Sequence, residues 1–254
     1  MPMVSDIAAF LDKEIPFSLK MDFDNVGLLC GFPDNEVTRI LVALDITLDV
    51  IKEAESLGAE LIVAHHPVIF TPMKTVTDDT PAGKRVIALI RSGISAICLH
   101  TNLDRMEGGV NTALAHALGA EESVQLDMGS ICTLPESVLF PEFLSLTANR
   151  LGVRDIRYSD ALRPVSKIAV CGGSGGDIVY DAAAHGCDTV VTGEIRHHQW
   201  IDGAQMGLNL IEAGHFATEN TVVKPLAELL MRGFSGLDVR TSQIQRSPTS
   251  GFSI

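Results

Sequence analysis

The sequence predicts an α/β protein built from two similar, duplicated α/β lobes, residues 1–128 and 129–254. Three observations predict it. Arg39–Val63 recurs as Lys167–Val191 at a constant offset of 128 with no gap, matching Ile40 to Ile168, Val42 to Val170, Asp49 to Asp177, Ala54 to Ala182, Gly58 to Gly186 and Val63 to Val191. Each copy reads as one βαβ unit, in which an apolar run leads into a helix-spaced apolar set closed by glycine, and a second apolar run follows. Such units imply parallel strand pairing with a right-handed crossover. A third apolar run then follows each copy, Ile94–Leu99 in the first and Leu208–Ile211 in the second.

The elements follow in order. Ser5 is the expected N-cap of a first helix ending near Glu14. Arg39–Leu44 is a strand; Val50, Ile51, Ala54 and Leu57 mark a helix; Glu60–Ala64 is a buried strand, four of its five residues apolar. Val86–Arg91 is helical and stops at Gly93, and Val110–Leu118 is a helix closed by Gly119. In the second lobe Glu142–Leu151 is a helix closed by Gly152, and Leu226–Met231 lies in one ended by Gly233. Pro225 would clash with the Thr221 carbonyl inside a helix, so the regular helix is expected to begin at or after it, or to kink there. The polar stretch Thr241–Ile254 is expected to be a short strand or an ordered tail.

Composition narrows the class. Hydrophobic residues make up 46% and charged residues 20%, a soluble globular balance with a sizeable core. The net charge of −13, with no basic patch longer than pairs such as Lys84-Arg85, argues against a nucleic-acid partner and against anionic membranes. No apolar run approaches the ~18 residues of a membrane span. The five cysteines, Cys30, Cys98, Cys132, Cys171 and Cys187, show no paired spacing and read as reduced core thiols. Met1–Asp12 lacks the pattern of a signal peptide, so the cytoplasm is the expected compartment.

Chemistry concentrates at the predicted strand ends. His65 and His66 close the run Leu61–Ala64 and precede Pro67. The third strands end in His100-Thr-Asn-Leu-Asp104 and His215-Phe-Ala-Thr-Glu219, each a histidine with a carboxylate four residues on. Ligands gather where parallel strands end, so these six residues are expected near one another. Imidazoles with carboxylates suit Zn, Mn, Fe, Co or Ni. Five or six such groups suit two divalent ions with a bridging carboxylate and an open water position. Successive residues of an extended chain face opposite ways, so His65 and His66 fit one ion each. Plainer roles compete: His100 as a hydrogen-bond partner beside the ligands, Asp104 as a cap, Glu219 as a complement to a helix dipole. His197 and His198 read as solvated loop residues, and His116 and His185 as ordinary helix positions. Gly172-Gly-Ser-Gly-Gly176 is similar to a phosphate loop but lacks the Gly-Lys-Ser/Thr ending. At offset 128 His65 and His66 correspond to Gly193 and Glu194. One dinuclear site per chain, in the cleft between the lobes, is therefore expected.

Six segments, Asp24-Asn-Val-Gly-Leu28, Ala64-His-His-Pro67, Leu99-His-Thr-Asn-Leu-Asp104, Gly108-Gly-Val-Asn111, Val191-Thr-Gly-Glu194 and Gly214-His-Phe-Ala-Thr-Glu219, together resemble the NGG-interacting-factor-three-like family. Its members carry the name GTP cyclohydrolase 1 type 2 homologue. The resemblance runs from about Asp24 to Met231 and lacks the insertion of longer members, as in the short bacterial form. It implies metal ligands His65, His66, Asp104, His215 and Glu219, with Glu219 bridging and His100 a close neighbour. It also implies a toroidal homohexamer. The implied reaction opens the guanine ring of GTP and releases formate, giving dihydroneopterin triphosphate, with His100 and Glu219 as catalytic residues. Two other functions use the same ligands: a non-catalytic metal scaffold or chaperone, and a two-metal phosphoesterase. In each case the partner is a small molecule or nucleotide, or the metal itself.

Overall fold

The computed structural model describes residues 1–250, the side chains of 122 and 123 excepted. These residues form two compact units, each a mixed α/β fold around one sheet. The first comprises Met1–Met106 and Val223–Arg246 and the second Glu107–Val222 with 247–250. In the first unit the chain runs through α1 (Val4–Glu14), β1 (Gly27–Cys30), β2 (Arg39–Ala43), α2 (Leu48–Leu57), β3 (Leu61–Ala64), α3 (Pro81–Arg91), β4 (Ser95–Cys98) and α4 (Thr101–Asp104). The second unit holds α5 (Val110–Leu118), β5 (Glu121–Gln125), β6 (Ser130–Val138), α6 (Phe140–Leu151), β7 (Arg157–Ser159) and β8 (Val165–Cys171). It continues with α7 (Ile178–Ala184), β9 (Thr189–Thr192), α8 (His197–Gln205), β10 (Asn209–Glu212) and α9 (His215–Glu219). The chain then returns to the first unit as α10 (Val223–Gly233) and β11 (Asp238–Thr241).

That return corrects the single division expected at residue 128. β11 pairs in parallel with β2, Val239 opposite Ile40, so the chain's last strand extends the first sheet. The first sheet has the order β1-β4-β3-β2-β11 and the second β5-β6-β8-β9-β10-β7. Each has three adjacent parallel strands at its centre, β4-β3-β2 in one and β8-β9-β10 in the other. All four residues of β3 are fully buried, which stabilises the unit by roughly 1.5–3 kcal/mol for each large aliphatic side chain.

The repeat read from the sequence recurs bond for bond. Glu60 accepts the backbone N–H groups of Thr38 and Arg39 at 3.0 and 2.9 Å. Its counterpart Asp188 accepts those of Ser166 and Lys167 at 2.9 and 2.8 Å. Arg39 donates to the Leu57 carbonyl, and Lys167 donates to that of His185 at the same offset. The strands match in register too, Ile40 opposite Leu61 and Ile168 opposite Thr189. Gly58 and Gly186 each end the intervening helix at φ 66°, where a side chain would be strained.

Three helices begin earlier than expected, and each for the same reason. α3 starts at Pro81, with the Thr80 hydroxyl accepting from Gly83 N–H at 3.1 Å. α6 starts at Phe140, just before Pro141, and α10 starts at Val223, two residues before Pro225. A first-turn N–H has no partner within the helix, so proline costs nothing there. α1 is capped by Met3 rather than Ser5, and Asp6 Oδ2 accepts the Met3 N–H at 2.8 Å. The polar tail supplies no strand beyond Thr241, and residues 251–254 lie outside the described residues. No described helix is long and apolar enough to cross a membrane.

Candidate metal centre

In the first unit the site is built where β2, β3 and β4 end, the edge at which parallel sheets present ligands. His65 and His66 continue β3, their N–H groups donating to the Ala43 and Leu44 carbonyls at 3.3 and 2.9 Å. Those bonds fix where the two rings leave the backbone. His65 is fully buried, and its Nδ1 lies 2.8 Å from the Leu99 carbonyl. A carbonyl only accepts, so Nδ1 carries the proton and Nε2 carries the lone pair. His66 Nδ1 lies 2.8 Å from Asp45 Oδ1, and His100 Nδ1 lies 2.7 Å from Asp24 Oδ1. All three histidines are thus gripped at Nδ1 by an acceptor, the arrangement that orients metal-binding imidazoles and leaves Nε2 to the ion. They offer ring nitrogens within 4.8 Å of one another. Asp104 is buried at the end of α4, its Oδ1 3.7 Å from His65 Nε2.

Asp24 explains how His100 is held. Its carboxylate is wholly enclosed and accepts from His100, from the Thr101 N–H at 3.0 Å and from the Thr101 hydroxyl. Burial pushes its pKa up, but these hydrogen bonds and the His100 charge outweigh burial, and the carboxyl stays well below its usual range.

In the second unit His215 opens α9. Its Nδ1 lies 3.0 Å from Glu194 Oε1, whose other oxygen accepts from the Ser174 hydroxyl at 2.7 Å. Its Nε2 lies 3.0 Å from Glu219 Oε2. The Glu219 hydrogen bond raises the His215 pKa, burial works against this, and Glu194 adds to it. Glu219 is buried at the C-terminal end of α9, and Asp104 ends α4.

The glycine run Gly172–Gly176 has a packing role. A Cβ on Gly173 would stand 2.0 Å from Glu219 Oε1 and 3.2 Å from His215 Nε2. A Cβ on Gly172 would likewise stand 2.7 Å from Val110 Cγ1 and 3.2 Å from Glu219 Cγ. Bare backbone at these positions gives the Glu219 carboxylate its space. His197 and His198 are exposed in the first turn of α8 rather than in a loop; His116 is exposed in α5, whereas His185 is exposed just past the end of α7 rather than within a helix.

Residues 2–248 match the family described as Duf34/NIF3 (NGG1p interacting factor 3). The chain belongs to this family. Among NIF3-family relatives, it is 38% identical over 235 residues to a Clostridium perfringens protein named GTP cyclohydrolase 1 type 2 homolog, covering 89% of this chain and 90% of that one. A Clostridium acetobutylicum protein of the same name is 32% identical, with 94% and 93% covered. Among solved structures, a Staphylococcus aureus protein superposes with a TM-score of 0.92 at 28% identity, covering 99% of each chain. The NIF3 resemblance drawn from six short motifs thus extends over almost the whole chain.

Motif reading missed the residues that orient the histidines. Asp45 and Glu194 were not singled out as orienting groups, and Asp24 entered only as part of a motif. The signal was present in the repeat: Asp45 corresponds to Gly173 and His66 to Glu194 at offset 128. Each unit therefore keeps one acid at these two strand ends, on different strands.

Proposed function

We propose that this protein is a metal-dependent hydrolase in which His65, His66, Asp104, His215 and Glu219 would hold two divalent ions at one centre. The observation that carries this reading is that four histidines, His65, His66, His100 and His215, are each held at Nδ1 by a carbonyl or carboxylate oxygen, and that His65, His66 and His100 bring ring nitrogens within 4.8 Å of one another. An acceptor at Nδ1 is the usual way in which a metal-binding imidazole is oriented. His215 and Glu219 are two donors, short of the three protein ligands that a catalytic ion needs. The ligand arithmetic supports their use together with His65, His66 and Asp104.

When bound, a pair of such ions lowers the pKa of water toward neutrality and polarises the group under attack. The remaining work falls to the chain. Asp45 and the Leu99 carbonyl hold the His66 and His65 rings in one orientation, and Glu194 does the same for His215. His100, held by Asp24 beside the His65 and His66 rings, is the group that would deliver a proton to the departing group. The relatives' name points to GTP as substrate, with hydrolytic opening of the guanine ring and release of formate. A homohexamer in the cytoplasm is the proposed working form.

The test is formate release from GTP by purified protein loaded with Zn, Mn or Fe, alongside Glu219→Gln. Formate release by the wild type and its loss in the variant are expected. Absence of turnover with every metal, in protein that binds them, would sink the cyclohydrolase reading. Phosphate release from phosphodiesters under the same conditions would move the assignment to a phosphoesterase.

A further inference from the structure

We propose that Phe23 and Phe70 seat a nucleobase, the planar ring of the molecule processed at the histidine cluster. The proposal rests on the hydrolase reading only for the fate of the bound molecule. Phe23 is 64% exposed and Phe70 48% exposed, although aromatic residues are scarce in this chain. Their ring centroids lie 6.2 Å apart at 73°, so together they make a corner into which a flat ring fits. Phe70 in turn stands edge-on to His100, 5.8 Å away at 86°. His100 is 5.2 and 5.6 Å from the His65 and His66 rings. A continuous row of rings therefore leads from solvent to the proposed ligands.

The corner is preorganised. Asn25 Nδ2 donates to the Ile69 carbonyl at 2.7 Å, and the Asn25 N–H donates to Asp24 Oδ1 at 2.8 Å. These bonds tie the segment carrying Phe23 to the segment carrying Phe70, and both to the carboxylate that steers His100. Lys20 Nζ donates to the Asp24 carbonyl at 2.8 Å, which places a cation beside the same turn, suited to a nucleotide's phosphates. Two rings fixed in water beside a histidine cluster lower the ordering cost of receiving a third.

The test uses the full-length protein, metal-loaded and metal-free, titrated calorimetrically with GTP, ATP, UTP and inorganic triphosphate. Nucleotides should bind about tenfold or more tightly than triphosphate, since base–aromatic stacking contributes on that scale. Phe70→Leu and Phe23→Leu, which keep apolar bulk but lose the ring face, should each weaken nucleotide binding by about tenfold. Triphosphate binding, metal content and solution mass should stay unchanged, and Phe70→Tyr should restore nucleotide affinity. Equal binding of triphosphate and nucleotides, or unaltered nucleotide affinity in both leucine variants, would overturn the proposal. So would a change in solution mass, because the rings would then serve a contact between copies. Retained base binding without formate release would end the cyclohydrolase reading and leave this one standing.

Discussion

Gly173→Ala should separate metal binding from folding. Gly173 has φ +63°, and a methyl group there would stand 2.0 Å from Glu219 Oε1, against an ordinary contact of 3.4 Å or more. The carboxylate oxygen must retreat by about 1.4 Å, the difference between those distances, or the backbone must yield. The left-handed conformation alone costs a non-glycine residue roughly 1–2 kcal/mol. Gly186 supplies the control: it has φ +66° and nothing within 4 Å of its would-be Cβ. Gly186→Ala should therefore lose about the same conformational energy, seen as a fall in Tm of the metal-free protein of a few degrees, at ~2–4 °C per kcal/mol. Its metal affinity should match the wild type. Gly173→Ala should show a similar or larger fall in Tm together with a loss of metal affinity of about 10–100-fold, measured by competition with a chromogenic chelator. Equal metal affinity in the two alanine variants would refute the reasoning, since the Glu219 carboxylate would then not be a ligand that needs that space.

Other outcomes follow from the same geometry. Asp45→Ala leaves His66 Nδ1 without its carboxylate and should lower metal affinity by about tenfold, with little change in the stability of the metal-free protein. Asp24→Ala strips the acceptor from His100 and from the Thr101 N–H and hydroxyl, and should cost roughly 1–3 kcal/mol in urea unfolding of the unit. Burial pushes the Glu60 pKa up, but the N–H groups of Arg39 and Thr38 outweigh it and hold the carboxyl below its usual value of 4.5. Its stabilising contribution is therefore complete above about pH 4.5 and fades as pH falls through the lower folded value. Glu60→Gln should be less stable than wild type at pH 7, with the gap closing on acidification; a gap independent of pH would contradict this.

Much of the fold was legible because it is repeated and local. Gly58 and Gly186 mark helix ends through backbone conformation, and Leu61–Ala64 marks a buried strand through its unbroken apolar run. His65, His66, His100 and Asp104 could be grouped because parallel strands deliver their ends to one edge. The parts that sequence reading missed are set by distant partners or by permissive chemistry. β11 is a short polar strand that becomes recognisable only beside β2, about 200 residues earlier in the chain. The helix starts at Pro81, Phe140 and Val223 were hidden because proline interrupts a helix interior yet suits a first turn. Asp24 and Asp45 look like ordinary surface acids until the folded chain brings them to His100 and His66, 76 and 21 residues away in sequence.

The two units also show why their sites cannot be copies of each other. At the end of the first strand of each repeat stands Asp45 or Gly173, and at the end of the second stands His66 or Glu194. Where Asp45 occupies the first position it holds His66, and the carboxylate after the third strand is the shorter Asp104. Where Gly173 leaves that position bare, the longer Glu219 fills the space, and the orienting acid moves to Glu194 to hold His215. The substitutions are coupled by volume: a side chain at 173 and a glutamate at 219 cannot share the space. Gly173→Asp alone should therefore abolish metal binding, and adding Glu219→Asp, whose carboxylate is one methylene shorter, should partly restore it. Chelator competition on the single and double variants reads this coupling directly, and strictly additive losses would disprove it.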